Sequence, residues 1–299
     1  MSFFRHIPGL SYITRLVTDP PPSYVFELSE AGIAFAHNGT PGFEPLPEGA
    51  LSVSPITDNL VRADVAAQVL QKIAPVNGAR KRRPAALILP DYAARVTVLD
   101  FDSFPGSPEE QASLVRFRVK KTVPFDIDSA AVSFWAHPAA ASGGSKKNGS
   151  KKIEVTAVMV TLEILARYEA LFRNANFHPG EVTTSSLAAL NLCNEEGVAV
   201  LAKLSSNVLT LVVMDSGRLK LFRCLALEDS SEEEILSVLH PTFAYVEDEL
   251  GQQVRKLIVC GFSTLPASLR MEVEPLRSRC GAPEAFNAGL LGYLEGASA

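Results

Sequence analysis

From Tyr24 onward the chain alternates apolar and polar positions in short runs. YVFEL (24–28) and GIAFA (32–36), separated by Ser29-Glu30-Ala31, predict two strands joined by a tight turn. A third extended segment is expected at 51–54. Val65, Val69, Leu70 and Ile73 fall on one face of ADVAAQVLQKI, which predicts a helix over 63–73. Strands follow at 85–89 and 96–101, and a basic helix at 109–121. Pro124 stops that helix, because proline cannot continue the ladder and pushes Val123 toward extended geometry. The acidic turn after it, with Asp126 and Asp128 about Ile127, leads to a strand at 130–137 that pairs with 153–161. Between these two strands, AAASGGSKKNGSKK cannot pack a core and reads as an exposed hairpin tip. Helices are expected at 162–175, with Leu165, Tyr168, Leu171 and Phe172 on the apolar side, and at 184–192, where Ser185 and Ser186 read as caps.

The pattern then starts again. Three strands are expected at 198–202, 209–214 and 219–225, the last two joined at Asp215-Ser216-Gly217. A long helix at 231–250 opens on Ser230 or Ser231 as cap, with Glu232, Glu233 and Glu234 in its first turn. Pro241 inside it predicts a kink or break. A buried strand at 256–260, a helix beginning at 266 and a small-residue helix at 284–296 complete the chain. Strand triplets followed by helices, twice over, predict two α/β lobes with a smaller insert at about 97–152.

Residues 1–22 stand apart. Their apolar positions approach helical spacing but are interrupted by Pro8 and Gly9, and Pro20-Pro21-Pro22 forms a stiff spacer. They read either as an arm packed on its own domain or as a weak peripheral anchor for a membrane or partner. The run Arg80-Lys81-Arg82-Arg83 reads as a solvated turn or as a patch for an acidic partner.

Composition narrows the function classes. The 299 residues are 47% hydrophobic, as expected of a well-cored globular chain. The 28 Lys and Arg against 33 Asp and Glu argue against nucleic acid as the main partner. No apolar run reaches membrane-spanning length, and the N-terminus lacks the pattern of a signal peptide, so a cytoplasmic location is expected. The four cysteines, Cys193, Cys224, Cys260 and Cys280, have neither CxxC spacing nor a disulfide pattern and read as packed thiols. The five histidines are scattered, with no HxH or HxxxH, so no metal site is expected. Walker A, GxGxxG and GxSxG motifs are absent.

Thr122-Val123-Pro124-Phe125-Asp126-Ile127-Asp128, following a basic helix, resembles a helix-ending turn of the PilM family, the actin-like proteins of type IV pilus assembly. The order of elements over about 23–296 resembles that family as well. The resemblance implies an α/β, actin-like (ribonuclease H-like) two-lobed fold with a small α/β insert in the first lobe. On that reading 1–22 is an N-terminal arm and 23–96 the first lobe. The insert takes 97–152, the first lobe resumes at 153–194, the second lobe is 195–282, and 283–299 is a helix returning to the first lobe.

Actin-like proteins bind ATP between their lobes through D-x-G hairpins, whose glycines let backbone N–H groups reach phosphate. This chain departs from that pattern. The first hairpin position reads Glu27-Leu28-Ser29, the second Lys203-Leu204-Ser205, and the adenosine turn Gly261-Phe262-Ser263. Serine side chains would obstruct phosphate, Lys203 puts a cation where Mg²⁺ should be served, and Phe262 would fill the adenosine pocket. The resemblance therefore implies a nucleotide-free cytoplasmic scaffold peripheral to the inner membrane, with no cofactor and no catalytic residue. Its implied partner is the N-terminal peptide of a PilN-like inner-membrane protein. Val115, Val119, Val123, Phe125 and Ile127 are candidates for the walls of the groove that receives it. Two other readings remain: an actin-like protein whose lobe angle is switched by ATP and Mg²⁺, and the cytoplasmic part of a type II secretion platform protein.

Overall fold

The computed structural model describes residues 21–75, 81–137, 152–264, 269 and 271–298. The expectations for residues 1–20, for the lysine-rich loop before Lys152 and for a helix at 266–270 therefore lie outside the described residues or depend on them.

Two five-stranded sheets share one topology. In the first lobe, β1 (Tyr24–Ser29), β2 (Gly32–His37), β3 (Thr40–Pro45), β4 (Arg83–Leu89) and β8 (Phe177–Thr184) are arranged in the order β3-β2-β1-β4-β8. In the second, β9 (Val198–Ser205), β10 (Val208–Asp215), β11 (Arg218–Ala226), β12 (Lys256–Cys260) and β13 (Glu272–Pro275) run β11-β10-β9-β12-β13. Each is an antiparallel meander of three strands whose first member pairs in parallel with the fourth, which pairs in parallel with the fifth. The duplication expected from the pattern is a repeated topology.

Three strands escaped the sequence. Thr40–Pro45 replaces the extended segment expected at 51–54, which has no strand assignment. Its two prolines and one glycine read as a turn, but the strand lies at the sheet edge, where a missing N–H donor is tolerated. Phe177–Thr184 contains Pro179 and Gly180, and its register with β4 shifts between Ala85 and Ala86, so the irregularity is absorbed by a bulge. Glu272–Pro275 is a four-residue edge strand.

The insert is a third, antiparallel sheet of order β5-β7-β6, from β5 (Arg95–Phe101), β6 (Ala130–Ala136) and β7 (Ile153–Thr161). Its central strand is Ile153–Thr161, so a boundary at 152 would divide the sheet. Helix α2 (Pro108–Val119) covers one face, capped by Ser107, whose hydroxyl accepts from the Glu110 amide at 3.2 Å. The turn after α2 is held from the helix: the Arg116 guanidinium donates to the Ile127 carbonyl at 2.6 Å and the Ala130 carbonyl at 3.1 Å.

The remaining helices follow the periodicity: α1 (Ala63–Ile73), α3 (Leu162–Asn174), α4 (Ser185–Ala189), α5 (Glu232–Leu250) and α6 (Ala288–Ser298). Pro241 does not interrupt α5. Arg83, from the basic run, belongs to the fold: it donates to the Ala74 and Ala175 carbonyls, both at 3.0 Å, and lies 4.0 Å from the centre of the Phe177 ring. Lys81 and Arg82 are exposed. The largest core cluster joins Phe26, Leu87, Phe172 and Phe177 of the first lobe to Leu201, Val212 and Ile258 of the second.

The two crossings between lobes, α4 and α6, lie against each other through glycine. A Cβ on Gly292 would stand 2.2 Å from the Ala188 carbonyl oxygen. Gly292→Ala is expected to destabilise the chain by about 1–3 kcal/mol, the cost of overpacking, measured by urea unfolding. Where the insert meets the second lobe, Lys220 of β11 pairs with Glu154, and His137 hydrogen-bonds Thr156 at 3.0 Å. Burial lowers the His137 pKa, Glu154 opposes that, and Arg218 and Lys220 add to it. The folded state thus binds this proton less readily than the unfolded chain. His137 supports stability above its unfolded pKa of about 6.5 and loses that support as pH falls below it. The melting temperature of the native chain is expected to drop more between neutral pH and about pH 5 than that of His137→Gln.

Candidate functional site

The carboxyl ends of the central strands meet between the lobes, the usual position of ligand sites in open α/β sheets. Glu27 is the third residue from the end of β1, and Lys203 the third from the end of β9. The repeated topology makes them equivalent positions. Glu27 lies opposite Ala34 and Lys203 opposite Thr210 in the two matching hairpins. Both side chains are buried, Glu27 at 1% and Lys203 at 3% exposure.

A third charge completes the cluster. Asp91 follows β4 in a short 3₁₀ turn (Asp91–Ala93) and is buried. Its carboxylate is 3.1 Å from the Lys203 ammonium. It accepts from the Ser186 amide at 2.7 Å, the Ser186 hydroxyl at 2.6 Å and the Thr210 hydroxyl at 3.3 Å. Lys203 also donates to the Ser185 hydroxyl, which in turn donates to Glu27. The other Glu27 oxygen accepts from the Leu290 amide of α6 at 2.6 Å. Ser185 and Ser186 are therefore ligands of the two carboxylates, and neither caps α4 as expected. Asp91 went unnoticed in the sequence, although an acid directly after a buried parallel strand is a signal that could have found it.

Burial raises the Glu27 pKa, against the pull of Lys203, Ser185 and the Leu290 amide. Burial works to lower that of Lys203, but Asp91 and Glu27 more than offset it, and the net shift is upward. The ammonium stays charged because its counter-ion is 3.1 Å away.

Little room is left. The cleft bordered by Glu27, Ser29, Asp91, Ser185, Lys203 and Ser205 encloses about 20 Å³. One water needs roughly 10–15 Å³. Ser29 folds back on its own hairpin, its hydroxyl donating to the Gly32 carbonyl at 3.0 Å and accepting from the Gly32 amide at 3.2 Å. The residues here do not fit a Mg²⁺-nucleotide: an ammonium sits among the carboxylate and hydroxyl oxygens that would serve the metal.

A separate hollow of about 330 Å³ lies in the second lobe, between Leu204, Ser206, Ser230, Glu232, Gly261, Ser263 and Thr264, among others. Phe262 does not fill it, contrary to expectation; its ring packs in the core of the second lobe. Gly261 has φ +80°, and a Cβ there would stand 2.1 Å from the Leu204 carbonyl oxygen, so packing alone requires glycine.

The residues expected to line a partner groove divide differently. Val115, Val119 and Ile127 form the insert's own core with Phe101, Val155 and Met159, and do not border an open surface. Val123 and Phe125 are half-buried at its margin. Strand β6 ends its sheet, with no strand beyond it among the described residues. It carries Trp135, half-buried and the only tryptophan, and begins opposite Thr161, after which Leu162 is 51% exposed.

Among the described residues no cluster of three or more His, Cys, Asp or Glu could hold a metal, and no helix is long and apolar enough to cross a membrane.

No family model matches the chain, and none of the curated proteins does. Solved structures do. A chain of a PilM-PilN type IV pilus biogenesis complex superposes with a TM-score of 0.69 at 15% identity, over 93% of this chain and 99% of that one. The cytoplasmic domain of EpsL, an inner membrane component of the type II secretion system of Vibrio cholerae, gives 0.52 at 14% identity, over 91% and 94%. A Bacteroides thetaiotaomicron protein with an actin-like ATPase fold and unknown function gives 0.50 at 13%, over 90% and 96%. The chain has the actin-like ATPase fold.

Burial also controls the thiols. Cys193, Cys224 and Cys260 have their pKa pushed up to about 12, chiefly by burial; Cys260 is buried, and Cys193 and Cys224 are half-buried, as Cys280 is. A thiol reagent at mildly alkaline pH is expected to modify the three thiols of raised pKa slowly, and the buried Cys260 only when denaturant is added, as read by mass spectrometry.

Proposed function

We propose that this chain is a PilM-like scaffold of a type IV pilus assembly platform, held at the inner membrane through a PilN-like protein whose N-terminal peptide it docks, and that it works without hydrolysing ATP. The single observation that carries the nucleotide-free reading is Lys203, buried against Asp91 and Ser185 where Mg²⁺ and phosphate would have to sit. Supporting the assignment to pilus assembly is the match to nearly the whole length of a PilM-PilN complex chain. The likeness to the EpsL cytoplasmic domain supports a second reading, a component of a type II secretion platform. Both are scaffold roles.

The free edge of β6 offers the docking route. An extended peptide can add to a sheet edge through main-chain hydrogen bonds, while side-chain contacts set specificity. Trp135 and Leu162 supply apolar surface beside that edge, and Val123 and Phe125 supply it at the margin of the insert.

Two measurements test these readings. Calorimetric titration with millimolar Mg-ATP is expected to give no saturable heat; saturable binding lost in Lys203→Glu would instead support an ATP-switched protein. Titration with the N-terminal peptide of a PilN-like protein from the same genome is expected to shift Trp135 fluorescence. Leu162→Glu, at an exposed position, is expected to weaken that binding about tenfold, roughly 1.4 kcal/mol. A folded chain that ignores the pilus peptide but binds the corresponding secretion-platform peptide would move the assignment to the second reading.

A further inference from the structure

The charged cluster reaches beyond a blocked pocket, because its partners include both crossings between the lobes. Glu27 of the first lobe holds Ser185 at the start of α4 and the Leu290 amide of α6. Asp91, also of the first lobe, holds Ser186 of α4 and receives Lys203 and Thr210 from the second. The two carboxylates thus bind both crossing helices and the central hairpin of the second lobe.

We propose that Lys203 with Glu27 and Asp91 forms a hinge lock, a built-in cation that fixes the lobe angle without a nucleotide. This deepens the nucleotide-free reading and rests on it. Opening the lobes would draw the Lys203 ammonium away from the Asp91 carboxylate and the Ser185 hydroxyl that satisfy it. Breaking a buried ion pair in this way is strongly unfavourable. The charges facing the Lys203 ammonium are Asp91 and Glu27, with the Cys260 thiol nearby. Among the described residues no other cation is hydrogen-bonded to Glu27 or Asp91.

The lock can be tested on the full chain by spin-label distances between the lobes. Labels at Glu48→Cys and Glu233→Cys, both exposed positions, with the half-buried Cys193, Cys224 and Cys280 replaced by serine, report the lobe angle. The expected result is one narrow distance, unchanged by Mg-ATP. In Lys203→Met the distribution is expected to broaden, and amide exchange at Ser186 to accelerate about tenfold or more. If Lys203→Met does not fold, Lys203→Met/Asp91→Asn/Glu27→Gln removes all three charges and leaves no orphan ion, and the same broadening is expected in it. A folded variant that melts earlier but keeps the native distance would overturn the lock and make the cluster a core contact only. That result would leave the nucleotide-free reading standing, since it is decided by the calorimetric titration. A native chain whose lobe distance moves with Mg-ATP would overturn both.

Discussion

The pairing of the Lys203 ammonium with the Asp91 carboxylate, deep between two lobes, constrains everything around it. A lysine almost never stays charged and fully buried without a counter-ion and further hydrogen bonds. Here both are present, and they come from the other lobe and from the crossing helix α4. Ser185, Ser186 and Thr210 complete the oxygen shell, and the space that remains is close to that of one water. The folded chain thus carries at its centre the positive charge that a related architecture would import.

Repetition of topology explains how the cluster arises. Each sheet is a three-strand meander followed by two parallel strands, and each places its first strand at the centre. Equivalent positions on those central strands face the cleft, so a change at either one acts on the other lobe. Glutamate in one lobe and lysine in the other is a complementary choice. Two acids there would repel in a low dielectric and call for an external cation. The proposed scaffold role draws on the same chemistry, since a cleft satisfied internally leaves the exposed surfaces of the insert and lobes as the places where a partner can act.

The insert shows the limit of reading surfaces from apolar letters. Val115, Val119 and Ile127 stand beside the helix-ending turn that resembles the PilM family, and their spacing suits a groove wall as well as a core. A 12-residue helix over a three-stranded sheet must bury its apolar side chains, and the structure uses Val115 and Val119 so, together with Ile127 of the following turn. Phe262 repeats the lesson in the second lobe, where its ring completes a core and does not fill a pocket. In each case the residue type fitted two roles, and the choice depended on which neighbouring element needed covering.

The sequence by itself determined the two-lobed α/β plan, the insert, most helices and the loss of the hairpin glycines, because hydrophobic periodicity and turn chemistry are local properties. It marked Glu27, Ser29, Lys203 and Ser205 as departures from a phosphate site. It concealed the proline- and glycine-bearing edge strands, whose irregularity only a neighbouring strand or a bulge makes tolerable. It also concealed Asp91, whose partners Ser186, Lys203 and Thr210 lie about a hundred residues along the chain. Tertiary structure alone decided that Lys203 meets the Asp91 carboxylate. The energy of a buried charge depends on what the fold brings within a few ångströms, and no local pattern encodes that.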